Sequence, residues 1–261
     1  MTRHWRRLLT RGISEVVSIA RRAARPRTGL RILMYHALGT RVTNDALGIY
    51  NMPPDLFARQ IAALCSEPDL RYVSLTSRLA AQDHLSIAIT FDDGFRDNLY
   101  CAAPILIEHG IPFTVFVCAG FIQENSCTYL SKLNLRELAS LKGVTIGSHG
   151  ATHAKLTGLD AKSLRDELVS SKDSLEQITG RSINSLSYPH GAVNRRVRDA
   201  AEEAGYVLGA CSRFDINDSS RDPLLLCRTD ILGIDSMRVF KQKIRGDWDW
   251  YRWRTKDVFT R

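Results

Sequence analysis

The chain has 261 residues, 44% of them apolar and 25% charged, which suits one large α/β core and excludes a disordered polymer. Its formal charge of +8 is unevenly placed: residues 1–31 hold nine arginines and one acid, Glu15, while the other 27 basic and 27 acidic residues cancel. Only the N-terminal arm is basic, and no recognisable reading module continues that charge, which argues against nucleic acid as a partner.

Within the arm, Trp5, Leu8, Leu9, Ile13, Val16, Val17 and Ala20 recur at helical spacing, with Arg6, Arg7, Arg11, Arg21 and Arg22 among them. Such a helix can lie on an anionic bilayer or dock on the domain, and the arm can also be disordered; the three readings stay open. Charges interrupt every apolar run before residue 30, and no stretch nears the roughly 18 apolar residues of a membrane span. Six cysteines, at 65, 101, 118, 127, 211 and 227, form no CxxC pair. They suit free thiols in a reducing compartment, so the expected location is cytoplasmic, with peripheral membrane contact open.

Pro26 to Gly29 breaks the arm, and Arg31–Tyr35 is expected to be the first core strand, with His36 at its end. Residues 37–51 form a polar loop, and Pro53-Pro54 opens a helix with Leu56, Phe57, Ile61 and Leu64 on its apolar side. Tyr72–Leu75 reads as a short edge strand. Leu85–Ile89 reads as a buried strand that runs into Thr90-Phe91-Asp92-Asp93-Gly94. Asn98–His109 is helical, bent by Pro104, and Pro112–Val117 is the next strand. A polar loop over 119–133 can rim a cleft.

A helix from Asn134 then leads to the strand Val144–Ile146, followed by Gly147-Ser-His149-Gly-Ala-Thr-His153. A long helix from Asp160 closes at Gly180. Strands at Ile183–Tyr188, Tyr206–Leu208 and Leu224–Thr229 alternate with helices at 197–204 and after Ser236. About seven strands separated by helices predict a parallel sheet closed, or nearly closed, as a barrel. The polar clusters at 36, 92–93, 149–153 and 190 would then share its C-terminal mouth. The expected organisation is a basic arm over 1–29, a catalytic domain over 30–246 and a Trp-rich tail over 247–261, the tail either packed, interfacial or a carbohydrate platform.

Adjacent carboxylates at a strand end are costly unless a cation or strong donor lies between them. Two imidazoles and one carboxylate suit a borderline metal such as zinc, so Asp93, His149 and His153 are the expected ligands. The two histidines are four apart, which on a helical turn puts them on one face. Asp92 would take a proton from the attacking water. His36 and His190 are the imidazoles available to protonate a leaving nitrogen, whereas His4, His84 and His109 look peripheral.

Together, Thr90–Gly94 and His149-Gly-Ala-Thr-His153 resemble the signatures of the polysaccharide deacetylase family, the NodB-homology or carbohydrate esterase 4 group, over roughly residues 30–245. The resemblance implies an α/β fold, a distorted NodB-like (β/α)7 or (β/α)8 barrel. It also implies a divalent metal held by Asp93, His149 and His153, Asp92 as base, and removal of N-acetyl groups from a polysaccharide or lipid-linked glycan. O-acetyl esterase or small-amide hydrolase activity is an alternative, as is a noncatalytic glycan-binding or membrane-associated scaffold with its metal position blocked.

The chain departs from the family pattern in three places. Gly150 replaces the motif's Ser/Thr. Ser187-Tyr-Pro189-His190-Gly191 keeps a turn whose family role includes an oxyanion donor at the His190 N–H, but lacks the arginine that tethers the base. Leu226–Asp230 has no histidine where many relatives carry the catalytic acid. The departures, with Tyr35-His36, resemble the exopolysaccharide branch and imply His36 as general acid, His190 as runner-up. Membrane contact is expected through residues 1–29 and 247–254.

Overall fold

The computed structural model describes residue 10 and residues 12–19, 28–42, 45–75, 83–124 and 126–254, with the side chains of 253 and 254 excepted. The expectations for Trp5, Leu8, Leu9, Ala20, the surrounding arginines and residues 255–261 lie outside the described residues. A helix over 12–19 (α1) precedes β1 (Gly29–Tyr35), β2 (Ala37–Leu38), β3 (Asn51–Met52), α2 (Pro54–Cys65), β4 (Arg71–Tyr72) and β5 (Leu85–Phe91). There follow α3 (Ala103–Glu108), β6 (Phe113–Val117), α4 (Lys132–Ser140), β7 (Val144–Ser148), α5 (Ala161–Thr179), β8 (Ser185–Ser187), α6 (Arg195–Glu203), β9 (Leu208–Ala210), β10 (Arg228–Asp230) and α7 (Met237–Arg245).

Seven parallel strands run in the order β10-β1-β5-β6-β7-β8-β9, with β4 added beside β5. A parallel bridge from Ala210 to Leu226 brings β9 back to the segment entering β10 and nearly closes the ring. The architecture is therefore the expected seven-stranded α/β barrel. Period-two alternation sorts its residues. Leu30, Ile32, Ala88, Phe116, Ala210 and Leu226 cluster inside, while Leu33, Ile87, Ile89, Val115, Ile146 and Leu186 pack outward with the helices. Each large aliphatic buried this way contributes about 1.5–3 kcal/mol. Gly147 lies beside Phe116, whose Cδ1 would be 2.5 Å from an added Cβ, so the interior admits no side chain there.

Local chemistry sets the helix ends. Asp160, Asn194 and Ser236 accept from the N–H three residues on, Ser131 and Asn134 form a reciprocal capping box, and Gly180 closes α5 at φ 66°. A π-helical turn over Asn98–Ala102 accommodates Pro104 at the start of α3. The last strand starts later than Leu224, because Pro223–Leu225 winds into a 3-10 turn capped by Asp222. The strand expected at Tyr206 begins instead at Leu208, after Gly205 at φ 80°.

In the arm, α1 contacts the body. The Trp250 Nε1 donates to Ser14 at 3.0 Å, Arg245 donates to Ser18 at 3.1 Å, and Arg238 pairs with Glu15. The described start of the tail is packed too: Trp248 is buried, and Asp249 accepts both guanidinium arms of buried Arg31 at 2.9 Å. Among the described residues, no helix is long and apolar enough to cross a membrane.

Candidate metal centre and catalytic site

The alternation that hides Ala88 inside the barrel places Thr90 and then Asp92 further up the same inner face of β5. By the same count the inner faces deliver His36 just beyond β1, His149 just beyond β7, Ser187 at the end of β8, and Arg228 and Asp230 on β10. These positions converge on the C-terminal mouth, where open parallel sheets and barrels hold their sites.

Backbone strain marks the same place. Among the described residues, the non-glycine residues with positive φ are Asp93 (73°), His153 (63°) and His190 (60°), each in a region that costs about 1–3 kcal/mol and persists only where the surroundings impose it. Gly94 follows at φ 81°, and an added Cβ there would stand 2.9 Å from Val117. The turn so formed separates two adjacent acids: Asp92 points into the barrel and Asp93 across its rim.

Asp93 Oδ1 lies 3.3 Å from His149 Nε2 and 3.4 Å from His153 Nε2. It is buried and has no hydrogen-bond partner. Ligands held at about 2.0–2.1 Å around a tetrahedral ion sit about 3.3–3.4 Å apart, and the three ligand atoms lie within 4.8 Å of one another. The donor set and spacing fit a divalent ion. His149 Nδ1–H donates to the Ser187 carbonyl at 2.8 Å, leaving Nε2 to face Asp93. Burial works against ionisation of Asp93, but His149 and His153 outweigh it and hold its carboxyl well below the usual range.

The two histidines do not share a helical turn. His149 ends the strand and His153 is reached through an irregular bend, their rings 5.0 Å apart. Glu167 of α5 shapes that bend: its Oε2 accepts from the Ala151 and Thr152 N–H groups at 2.8 and 3.0 Å, and its Oε1 accepts from the Thr152 hydroxyl. Gly150 sits at φ 77°, where a Cβ would also approach Glu167 Oε2 to 3.2 Å. This accounts for glycine at the motif's Ser/Thr position.

The missing tether is supplied from another strand. Arg228 of β10 reaches across β1 and takes both Asp92 oxygens at 2.7 Å, while Ser187 bonds the guanidinium at 2.8 Å and Asp92 Oδ2 at 3.0 Å. The expectation that Asp92 lacks an arginine is thus corrected. Burial raises the Asp92 pKa, but Arg228 and His149 prevail and leave it lowered, so the group stays ionised. Asp92 Oδ2 is 4.0 Å from His149 Nε2.

His36 is half-buried at the mouth, its ring 4.7 Å from that of Tyr50, and it contributes to holding Asp92 and Asp93 charged. The residues after the Asp-Asp turn fix its strand end: Asn98 donates to the His36 carbonyl at 3.0 Å, and Asp97 accepts from the Leu38 and Thr40 N–H groups at 2.7 and 3.0 Å. Asp230 comes two positions after Arg228 on the same inner face. Burial raises its pKa, with His36 and Lys243 opposing, and its Oδ1 has no hydrogen-bond partner. His190 packs on His153, rings 4.5 Å apart, and its Nε2 is 3.2 Å from the His153 carbonyl. Burial and then His153 lower its pKa. The loop over 119–133 does rim this mouth: Phe121 packs on His153 at 5.6 Å and on Tyr129 at 4.6 Å. His84 pairs with Asp83 and His109 ends α3, both away from the centre; His4 lies outside the described residues.

Arg228, Glu167, Ser187 and Asp230 were not singled out as site residues by sequence. The available signal was an arginine within the apolar run Leu224–Thr229, because a charge inside a barrel strand needs a buried partner.

The polysaccharide deacetylase family profile matches residues 80–209. The Bacillus subtilis (strain 168) protein YxkH is 30% identical over 188 residues, covering 69% of this chain and 63% of its own length. Peptidoglycan-N-acetylmuramic acid deacetylase PdaA of the same organism is 28% identical over 161 residues, 60% of this chain and 56% of its own. The chain thus spans less than two thirds of either protein. The Streptococcus pyogenes deacetylase PplD, solved in complex with acetate, matches with a TM-score of 0.72 at 25% identity, over 84% of this chain and 99% of that one.

Proposed function

The chain matches the polysaccharide deacetylase family, the NodB-homology or carbohydrate esterase 4 group, and from that premise we propose that it is a metal-dependent hydrolase removing N-acetyl groups from a glycan. The observation that carries this reading is the convergence of two imidazole nitrogens on the unpartnered Asp93 Oδ1, with ionised Asp92 beside them. Asp93, His149 and His153 hold a divalent ion, zinc first, which when bound polarises the acyl oxygen and makes water a stronger acid.

Asp92, aimed by Arg228 and Ser187, accepts a proton as water oxygen attacks the acetyl carbon. The His190 N–H, on its strained turn, donates to the oxyanion. His36 gives a proton to the nitrogen as the carbon–nitrogen bond breaks, so acetate and an amine leave; His190 is the runner-up for that role. Phe121 and Tyr129 offer apolar faces for a sugar ring. The finer substrate reading is a polysaccharide or lipid-linked glycan handled at the cytoplasmic side of a membrane, a setting that accords with six free cysteines.

The test is acetate release by zinc-loaded protein from matched N-acetylated and O-acetylated oligosaccharides and small amides. Release from the N-acetyl sugars supports the reading. Release from O-acetyl sugars or small amides alone replaces it with the esterase or small-amide alternative, and failure to bind any divalent metal favours the scaffold.

A further inference from the structure

Helix α1 docks with its polar side inward. Ser14 and Ser18 are 0% and 8% exposed, held by Trp250 and Arg245, while Ile13, Val16 and Ile19 are 45%, 68% and 63% exposed. These three recur at i, i+3 and i+6 and form one stripe facing solvent. A surface helix ordinarily turns that stripe to the core, so its outward presentation calls for a partner.

Charge indicates which partner. The exposed face of α7 carries Arg238, Lys241 and Arg245, three and four residues apart and therefore on one side of the helix. This basic ridge is tied to α1 through Arg238–Glu15 and Arg245–Ser18, so it runs beside the stripe. Glu15 and Asp247 each take one side of a guanidinium, yet 70% and 57% of the Arg238 and Arg245 side-chain surface still faces solvent. The sequence around α1 adds to the same sign, with eight arginines in residues 1–27.

We propose that the α1–α7 face is a contact surface for an anionic lipid bilayer, with Ile13, Val16 and Ile19 entering the headgroup–acyl boundary and Arg238, Lys241 and Arg245 meeting lipid phosphates. Three aliphatic side chains make a weak anchor alone, and a neighbouring basic ridge supplies the attraction that holds them at the surface. A second copy of the chain is a poorer occupant, because a twofold contact would bring two basic ridges together. Its apolar stripe lies within the 1–29 part of the expected contact; in the 247–254 part Trp248 is buried and Trp250 is engaged with Ser14. The inference stands apart from the proposed deacetylase chemistry, since it concerns a face outside the barrel.

The experiment is flotation of the full chain with phosphatidylcholine vesicles, with and without phosphatidylglycerol, beside an I13S/V16S/I19S variant and Lys241→Glu. Binding to the anionic vesicles should be at least about tenfold tighter than to the neutral ones and should weaken with added salt. The triple variant should bind about tenfold less with its melting temperature unchanged, and K241E should bind more weakly. No preference for anionic vesicles would overturn the proposal. So would undiminished binding by the triple variant, which would place binding in the arginine arm alone. Dimerisation of the wild type, lost in the triple variant without vesicle binding, would assign the face to a second copy instead.

Discussion

Arg228 and Asp92 meet end to end inside the barrel, both guanidinium arms 2.7 Å from the two carboxylate oxygens, although their strands are separated by β1. Both side chains are buried. The pair links the last barrel strand to the turn that carries Asp92 across β1, so the position of the base depends on that contact.

Removing Arg228 leaves an uncompensated carboxylate. Arg228→Met should destabilise the fold by about 3–5 kcal/mol, and the D92N/R228M double variant should recover part of that loss, as read from denaturant unfolding. Arg228→Lys keeps the charge but loses the fork, and kcat should drop about a hundredfold with metal content unchanged. Because the folded pKa of Asp92 is depressed, the wild-type pair contributes fully above the unfolded carboxylate value of about 3.9 and is lost as pH falls through the depressed value. R228M should show a shallower acid dependence.

Glu167 touches no ligand atom of the centre, yet it accepts from two backbone N–H groups in the bend that carries His153. Glu167→Gln turns one acceptor into a donor and should weaken zinc binding about 10–100-fold. Competition with a chromophoric chelator measures this; unchanged affinity would show that the bend is held without it.

Metal affinity should fall in acid. Burial depresses the His149 pKa, but Asp92 and Asp93 outweigh it and hold it above the ordinary imidazole value. Ligation requires the neutral ring, so affinity is full above that raised value and declines below it, by about tenfold per pH unit for each proton displaced. In D92N the largest of the raising charges is gone, and the decline should begin at a lower pH. The same chelator titration from about pH 5 to 8 checks both.

The sequence made the sheet legible because β1, β5 and β6 carry apolar runs that divide between an inner and an outer set. It also made Asp92, Asp93 and His149 legible at strand ends, and His153 by its spacing from His149. The bend between the histidines was not, since positive φ at Gly150 and His153 is a property of the backbone that a four-residue spacing does not carry. Arg228 is not legible as the tether, because the resemblance places that arginine in the Ser187–Gly191 turn, whereas here a guanidinium reaches Asp92 from across the barrel. The facing of α1 was hidden for a related reason: its apolar spacing is visible in sequence, but the small Ser14 and Ser18 side chains are what fit the body.

His36 should act on the leaving group and not on the ion. His36→Gln should lower kcat about 10²–10³-fold while zinc affinity stays within about twofold, because His36 lies outside the ligand set and is the smallest of the influences that hold Asp93 charged. If His190→Gln shows that loss and H36Q does not, the acid is His190.

The most direct test of the account is acetate release from an N-acetylated oligosaccharide by wild type and Asp92→Asn at equal measured zinc content. The account predicts turnover by wild type that falls at least about a hundredfold in D92N, with both proteins folded and metal-loaded. Equal rates in the two proteins would contradict it, since Asp92 would then have no part in the chemistry.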